Sequence, residues 1–291
     1  MDHLSHFGRE VRAFEAACRA VGSALVPSCP GWGVPDLVMH LGGVHRYLVW
    51  VIGDRLTEQP DPADLSFLGL PADPAGWPDP AGAPATGPLP AGLLDWFAEG
   101  AAKLETAFAT TDPDVPVWTW SGEQSVGFWL RMQTIEAAIH RWDAETVAGT
   151  AGPMDAELAA DAVGQTFEVM APARRAWTAA PPGAGETYGF RQSDGPGRWT
   201  ARFDGADVSL VNGADVSLEE ETEVSVGEGI EVSIGEGTDV GVGDADGCDV
   251  VVAGTASDLM LFLWHRIPYE RLDVHGDRAV LDRYFTLVPP V

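Results

Sequence analysis

Along the first 180 residues the apolar positions recur at helical spacing. Glu10 to Val26 carries one such stripe. Gly31-Trp-Gly-Val-Pro35 sets a proline in a first turn and opens a second run to Ile52. Leu93 to Phe108 and Val126 to Val147 are two more, and a fifth runs from Asp155 to about Trp177. Seven prolines between Pro71 and Pro90 separate the second run from the third as an extended loop. Four long amphipathic helices with one long connection predict a helix bundle over residues 1–178.

After the linker Pro181-Pro-Gly-Ala-Gly185 the period changes to two. Arg198-Trp-Thr-Ala-Arg-Phe203 alternates as a half-buried strand does. An eight-residue repeat follows, at about 206–243: Asp207-Val-Ser-Leu, Asp215-Val-Ser-Leu, Glu223-Val-Ser-Val, Glu231-Val-Ser-Ile and Asp239-Val-Gly-Val, each a short strand and a turn. Phe203 to Val252 holds 14 acidic residues and no Lys, Arg or His. The nine-residue spacing of calcium β-rolls is absent, so the stretch reads as a solvated, duplicated insertion. Ala256 to Arg266 and Asp277 to Tyr284 read as helices closing a small α+β domain over residues 186–291.

Charge and composition narrow the function. The 291 residues carry 17 Lys plus Arg against 44 Asp plus Glu, a net charge of −27. Binding phosphate requires clustered cations, so nucleic acid and anionic membrane are excluded as partners. The longest apolar run, Tyr47 to Gly53, falls far short of the roughly 18 residues of a membrane span. The opening Met-Asp-His-Leu-Ser-His has no basic region followed by an apolar stretch, so no secretory signal is expected. Cys18, Cys29 and Cys248 are an odd, sparse set without metal spacing, which fits a reducing cytoplasm.

The segment with most chemistry is Trp129-Leu-Arg-Met-Gln-Thr-Ile-Glu-Ala-Ala-Ile-His-Arg-Trp-Asp143. Four residues apart on a helix, Glu136 and His140 share a face, flanked by Trp129, Met132, Ile139 and Asp143. A carboxylate and an imidazole facing a core are costly unless paired or coordinating a metal. The same spacing also serves an ordinary Glu–His hydrogen bond or a surface pair. A third metal ligand would come from the second helix, in Val38-Met-His-Leu-Gly-Gly-Val-His-Arg46. Periodicity there slightly favours His45 over His40 and leaves the choice open.

Two quoted stretches carry a resemblance. Cys29-Pro-Gly-Trp-Gly-Val-Pro-Asp-Leu-Val-Met-His-Leu41, followed about a hundred residues later by Glu136-Ala-Ala-Ile-His-Arg-Trp-Asp-Ala-Glu145, resembles the mycothiol-dependent maleylpyruvate isomerase family. That family belongs to the DinB-like four-helix metalloproteins of actinobacteria. The tail, Asp249 to Trp264 and then Val274 to Arg283, is similar to the family's carboxy-terminal domain, which is sterol-carrier-like. The likeness covers nearly the whole chain except the Pro-rich loop and the acidic repeat.

The resemblance implies a divalent metal, zinc in the first instance, held by His40, Glu136 and His140, with mycothiol as the thiol cosubstrate. Two imidazoles and one carboxylate leave a position open, as in catalytic zinc sites; ferrous iron would accept the same set. Asp143, Trp129 and Arg266 are the candidate cofactor contacts. Their ordinary readings are a salt bridge or an orienting partner for His140, core packing, and an arginine without distinguishing spacing. Arg131 is the other arginine that could hold a substrate carboxylate. Cys29 reads as packing rather than as a nucleophile. Maleylpyruvate is a dianion that calls for basic partners, and no basic residue falls on the Glu136–His140 face. S-transfer to an apolar electrophile therefore stands ahead of cis–trans isomerisation. A non-catalytic metal- or partner-binding protein is the reading from another class.

Overall fold

The computed structural model describes residues 1–21, 24–79, 85–212 and 247–290. The chain forms two compact units, Met1–Val163 with Ala256–Pro268, and Gly164–Thr255 with Tyr269–Val291. The first is helical. It contains α1 (His3–Val21), α2 (Val34–Gly53), α3 (Leu93–Thr110) and α4 (Val126–Ala148), then the start of α5 (Ala156–Gln165). No helix among the described residues is long and apolar enough to cross a membrane.

Local chemistry explains where these helices begin. α1 starts seven residues before the expected Glu10, because the Asp2 carboxylate accepts from both the amide and the hydroxyl of Ser5. Pro35 sits in the first turn of α2, and the Asp36 carboxylate takes the Gly33 amide at 2.8 Å. Ser125 caps α4 by accepting from the Phe128 amide. The main packing pairs are α1 on α4 and α2 on α3, with α1 also meeting α3 and α2 meeting α4. Their shared core includes Phe7, Phe14, Leu37, Leu41, Phe97 and Ile135.

The α2–α3 contact is close because Gly42 presents no side chain to the Trp96 ring. That indole in turn donates to the Leu68 carbonyl at 2.9 Å, tying the segment after α2 to α3. Arg46 lies over the same ring, 4.7 Å from its centroid.

The second unit is built on a five-stranded sheet in the order β3-β2-β1-β4-β5, with β1 Gly183–Gln192, β2 Arg198–Gly205, β3 Asp207–Asn212, β4 Val250–Gly254 and β5 Asp273–Gly276. All neighbours are antiparallel except β1 and β4, which run parallel. β2 shows the expected alternation: Trp199, Ala201 and Phe203 point inward while Arg198 and Arg202 face solvent. The first acidic repeat is part of β3; the later ones, at 213–243, lie outside the described residues. The core closes on Tyr284 of α8 (Arg278–Leu287), whose ring meets Phe167, Tyr188, Phe190 and Phe203.

The units do not divide at residue 178. The fifth apolar run continues past α5 through a π-helical turn, Thr166–Met170, into α6 (Ala171–Trp177). Pro172 accounts for the irregularity, since it has no amide to give the preceding turn. Phe167 stacks on Phe190 at 5.1 Å, and Arg175 donates to the carbonyls of Gly205 and Leu287. Those contacts place this stretch with the sheet. Conversely, α7 (Ala256–Leu263), expected with the second domain, groups with the helices. Ser257 accepts from the Met154 amide, and Arg266 pairs with Asp143.

A Cβ at Gly42 must displace the Trp96 indole, so Gly42→Ala is expected to destabilise the protein. Overpacking costs about 1–3 kcal/mol, and the gain in helix propensity returns at most about 1 kcal/mol. Thermal unfolding followed by circular dichroism should show a lower midpoint; an unchanged or raised midpoint would show that α2 and α3 have slack.

Candidate metal centre

α2 and α4 face each other across His40 and Glu136. The His40 Nε2 lies 3.0 Å from one Glu136 carboxylate oxygen, and His140 Nε2 lies 4.0 Å from the same oxygen. The two imidazole rings are 5.2 Å apart, nearly perpendicular. The amide of Gln133, one turn before Glu136, donates to its other oxygen at 2.6 Å. Among the described residues two groups bring donor atoms within 4.8 Å of one another: His40, Glu136 and His140, and Cys29, His140 and Asp143.

Beneath this layer lies a second carboxylate. Asp143 has no solvent exposure. It accepts from His140 Nδ1 at 3.0 Å, from Arg266 at 3.0 and 2.8 Å, from the Ser28 hydroxyl and from the Cys29 thiol at 3.5 Å. Arg266 arrives there through the end of α7. Its amide bonds the Leu261 carbonyl, the His265 amide bonds that of Phe262, and His265 adopts a left-handed φ of 60°. This is a Schellman closure with a histidine where glycine is usual.

Electrostatics fix the protons. Burial alone would raise the Asp143 carboxyl, but the hydrogen bonds from His140 and Arg266 and the guanidinium charge outweigh it and hold it low. An ionised carboxylate can only accept, so His140 Nδ1 carries the ring proton. Burial keeps the His140 imidazole from protonating further, against the pull of Asp143. Its Nε2 lone pair therefore faces Glu136 and His40, the tautomer a metal ligand requires. Glu136 is also held down, at about 2: burial works to raise it, but the His40 hydrogen bond, the two imidazoles and the Gln133 amide prevail.

Cys29 belongs to the second group, where its thiol donates to Asp143. Burial, followed by the Asp143 charge, pushes its thiol up to about 12, so it remains protonated and donates.

Trp129 and Arg131 have partners of their own. Trp129 is buried and its indole donates to the Trp118 carbonyl at 2.8 Å, within an aromatic cluster that includes Trp120 and Phe128. Arg131 pairs with Asp161 at 3.0 Å. His45, the alternative to His40, is wholly buried against Phe7 and Phe97, and neither ring nitrogen has a hydrogen-bond partner. Sequence reasoning missed Gln133 and Ser28. Gln133 was within reach of the helical spacing, three residues from Glu136; Ser28, 115 residues from Asp143, had no such signal.

His40 is the open member of the set, its side chain 35% exposed against 13% for Glu136 and 9% for His140. It forms part of the wall of a cavity of about 380 Å³, with Trp32, Asp36, Met39, Gly43, Val44, Tyr47, Leu65, Phe67, Leu68, Pro78 and Asp79. The volume lies in the range of small-molecule sites.

Comparison with known families gives two matches. Residues 4–145 match the mycothiol maleylpyruvate isomerase N-terminal domain, and residues 157–283 match the MDMPI C-terminal domain. No curated protein and no solved structure shows significant similarity to the chain.

His45 generates a pH prediction. Burial depresses its folded-state pKa to about 3 from 6.5, so the unfolded chain takes up a proton below pH 6.5 that the folded chain refuses. Stability from this group is complete above pH 6.5 and is lost as pH falls toward 3. Between pH 7.5 and 5.0 the loss is about 2 kcal/mol. His45→Phe, which suits the Phe7 and Phe97 rings, should remove it. Urea unfolding at the two pH values should show the variant's advantage growing by that amount; an equal advantage at both would contradict the assignment.

Proposed function

Because the chain belongs to the mycothiol maleylpyruvate isomerase family, we propose that it is a mycothiol-dependent metalloenzyme of S-transferase type, activating a low-molecular-weight thiol for addition to an electrophilic carbon. The observation that carries this reading is the convergence of His40, Glu136 and His140 donor atoms within 4.8 Å. The donor set fits a divalent cation. A lone pair on His140 Nε2 and an ionised Glu136 oxygen face each other at 4.0 Å, an opposition that a cation between them relieves. Zinc bound by two imidazoles and a carboxylate would leave a position for the thiol and favour its thiolate near neutral pH.

The protein's own residues then have separable tasks. Asp143 orients His140 through Nδ1, and Arg266 balances the Asp143 charge. Gln133 holds the second Glu136 oxygen. In transfer, the sulfur's electron pair forms the S–C bond, the leaving group departs with its bonding pair, and the thiol proton goes to solvent. In an isomerase the sulfur would instead add to a double bond, allow rotation, and be expelled. Transfer is favoured because the two arginines that could hold a dianion, Arg131 and Arg266, are committed to Asp161 and Asp143.

On this reading the helical unit is a DinB-like four-helix bundle and the sheet unit a sterol-carrier-like domain. The partners are a small thiol and a small electrophile. A reducing cytoplasm suits the three unlinked cysteines.

Metal analysis by mass spectrometry is expected to find one equivalent of zinc in the purified protein and little in His140→Ala or His40→Ala. Asp143→Asn should weaken zinc binding about 10–100-fold in a chelator competition, the scale of an outer-shell partner. Full occupancy in His140→Ala would remove the metal assignment. Incubating the zinc-loaded protein with mycothiol and assorted electrophiles, then identifying adducts by mass, tests transfer: retained adducts support it, and turnover of maleylpyruvate without adducts would favour isomerisation.

A further inference from the structure

Resting on the thiol-activation reading above, we propose that the cavity beside His40 receives the electrophile, and that it selects uncharged or cationic, largely apolar compounds over dicarboxylates. Access to the metal centre supports the location. Glu136 and His140 are largely covered, while His40 is shared between the donor set and the cavity.

The wall supports the selectivity. Trp32, Met39, Val44, Phe67 and Leu68 give it an apolar surface, and among the described lining residues the only ones carrying full charge are two acids, Asp36 and Asp79. No Lys or Arg is among them. Asp36 cannot turn away from a ligand, since its carboxylate is held by the Gly33 amide at 2.8 Å and the Ala85 amide at 2.7 Å. Away from the metal position at His40, a substrate carboxylate on this wall would lose hydration and meet like charge instead of the guanidinium fork that recognises it elsewhere. Arg46, on the same helix, is spent on the Trp96 carbonyl and Glu99.

The test varies charge at constant skeleton and requires no turnover. Phenylsuccinate and its dimethyl ester, neither of which has a reactive double bond, are titrated calorimetrically into the full-length protein with no thiol present. The diester is expected to bind at least about tenfold more tightly than the dianion, the scale of one unfavourable charge contact. Val44→Trp, which fills the cavity, should weaken the diester by a similar factor. Leu65→Arg, at a half-exposed position of the wall, should fold normally and strengthen the dianion while sparing the diester. The proposal is overturned by equal or tighter dianion binding, by no diester binding in the millimolar range, or by a diester affinity that neither substitution alters together with an unimproved dianion. Because these probes bind without thiol or zinc, failure of the metal reading would leave the charge preference intact and visible.

Discussion

Asp143 is a carboxylate withdrawn completely from water, and the helical unit is organised around satisfying it. Its two oxygens take hydrogen bonds from His140, Arg266, Ser28 and Cys29, which come from α4 itself, from the end of α7 and from the loop before α2. Removing one partner of such a buried pair costs about 3–5 kcal/mol, because the other charge is stranded. The same interaction sets the tautomer of His140. Segments more than a hundred residues apart are therefore joined at one carboxylate whose second role is to aim an imidazole.

The two carboxylates on α4 have opposite electrostatic fates. Asp143 is neutralised by a guanidinium and closed off. Among the described residues the polar partners of Glu136 are two imidazoles and an amide, with no Lys or Arg. A buried anion of that kind is stable when a positive ion shares the site or when imidazole protons do. Seven residues, about two turns of α4, separate Asp143 from Glu136.

α2 makes a similar distinction between its histidines. His45 is wholly buried between the rings of Phe7 from α1 and Phe97 from α3. His40, five residues earlier, emerges at the edge of that core beside Trp32, their rings 5.0 Å apart. The residues after α2 complete the surroundings: Leu65, Phe67 and Leu68 fold back over the helix, secured by the Trp96 hydrogen bond.

Much of this was legible in the linear sequence. Helical spacing located the long helices, the period of two located β2, and the Glu136–His140 interval placed two donors on one face, because these periods follow from backbone geometry alone. The family's motifs pointed to His40, whereas periodicity leaned to His45; periodicity measures burial, while the convergence of donor atoms on Glu136, which includes His40, is a property of the folded chain. Other features required the folded chain. Ser28 and Arg266 meet Asp143 across 115 and 123 residues, distances over which no local pattern operates. The assignment of α7 to the helices, the division of the fifth helical run and the acidic, apolar wall beside His40 all arise from which surfaces meet. That is decided by the packing of the folded chain, where a buried charge must find its partner wherever the chain supplies one.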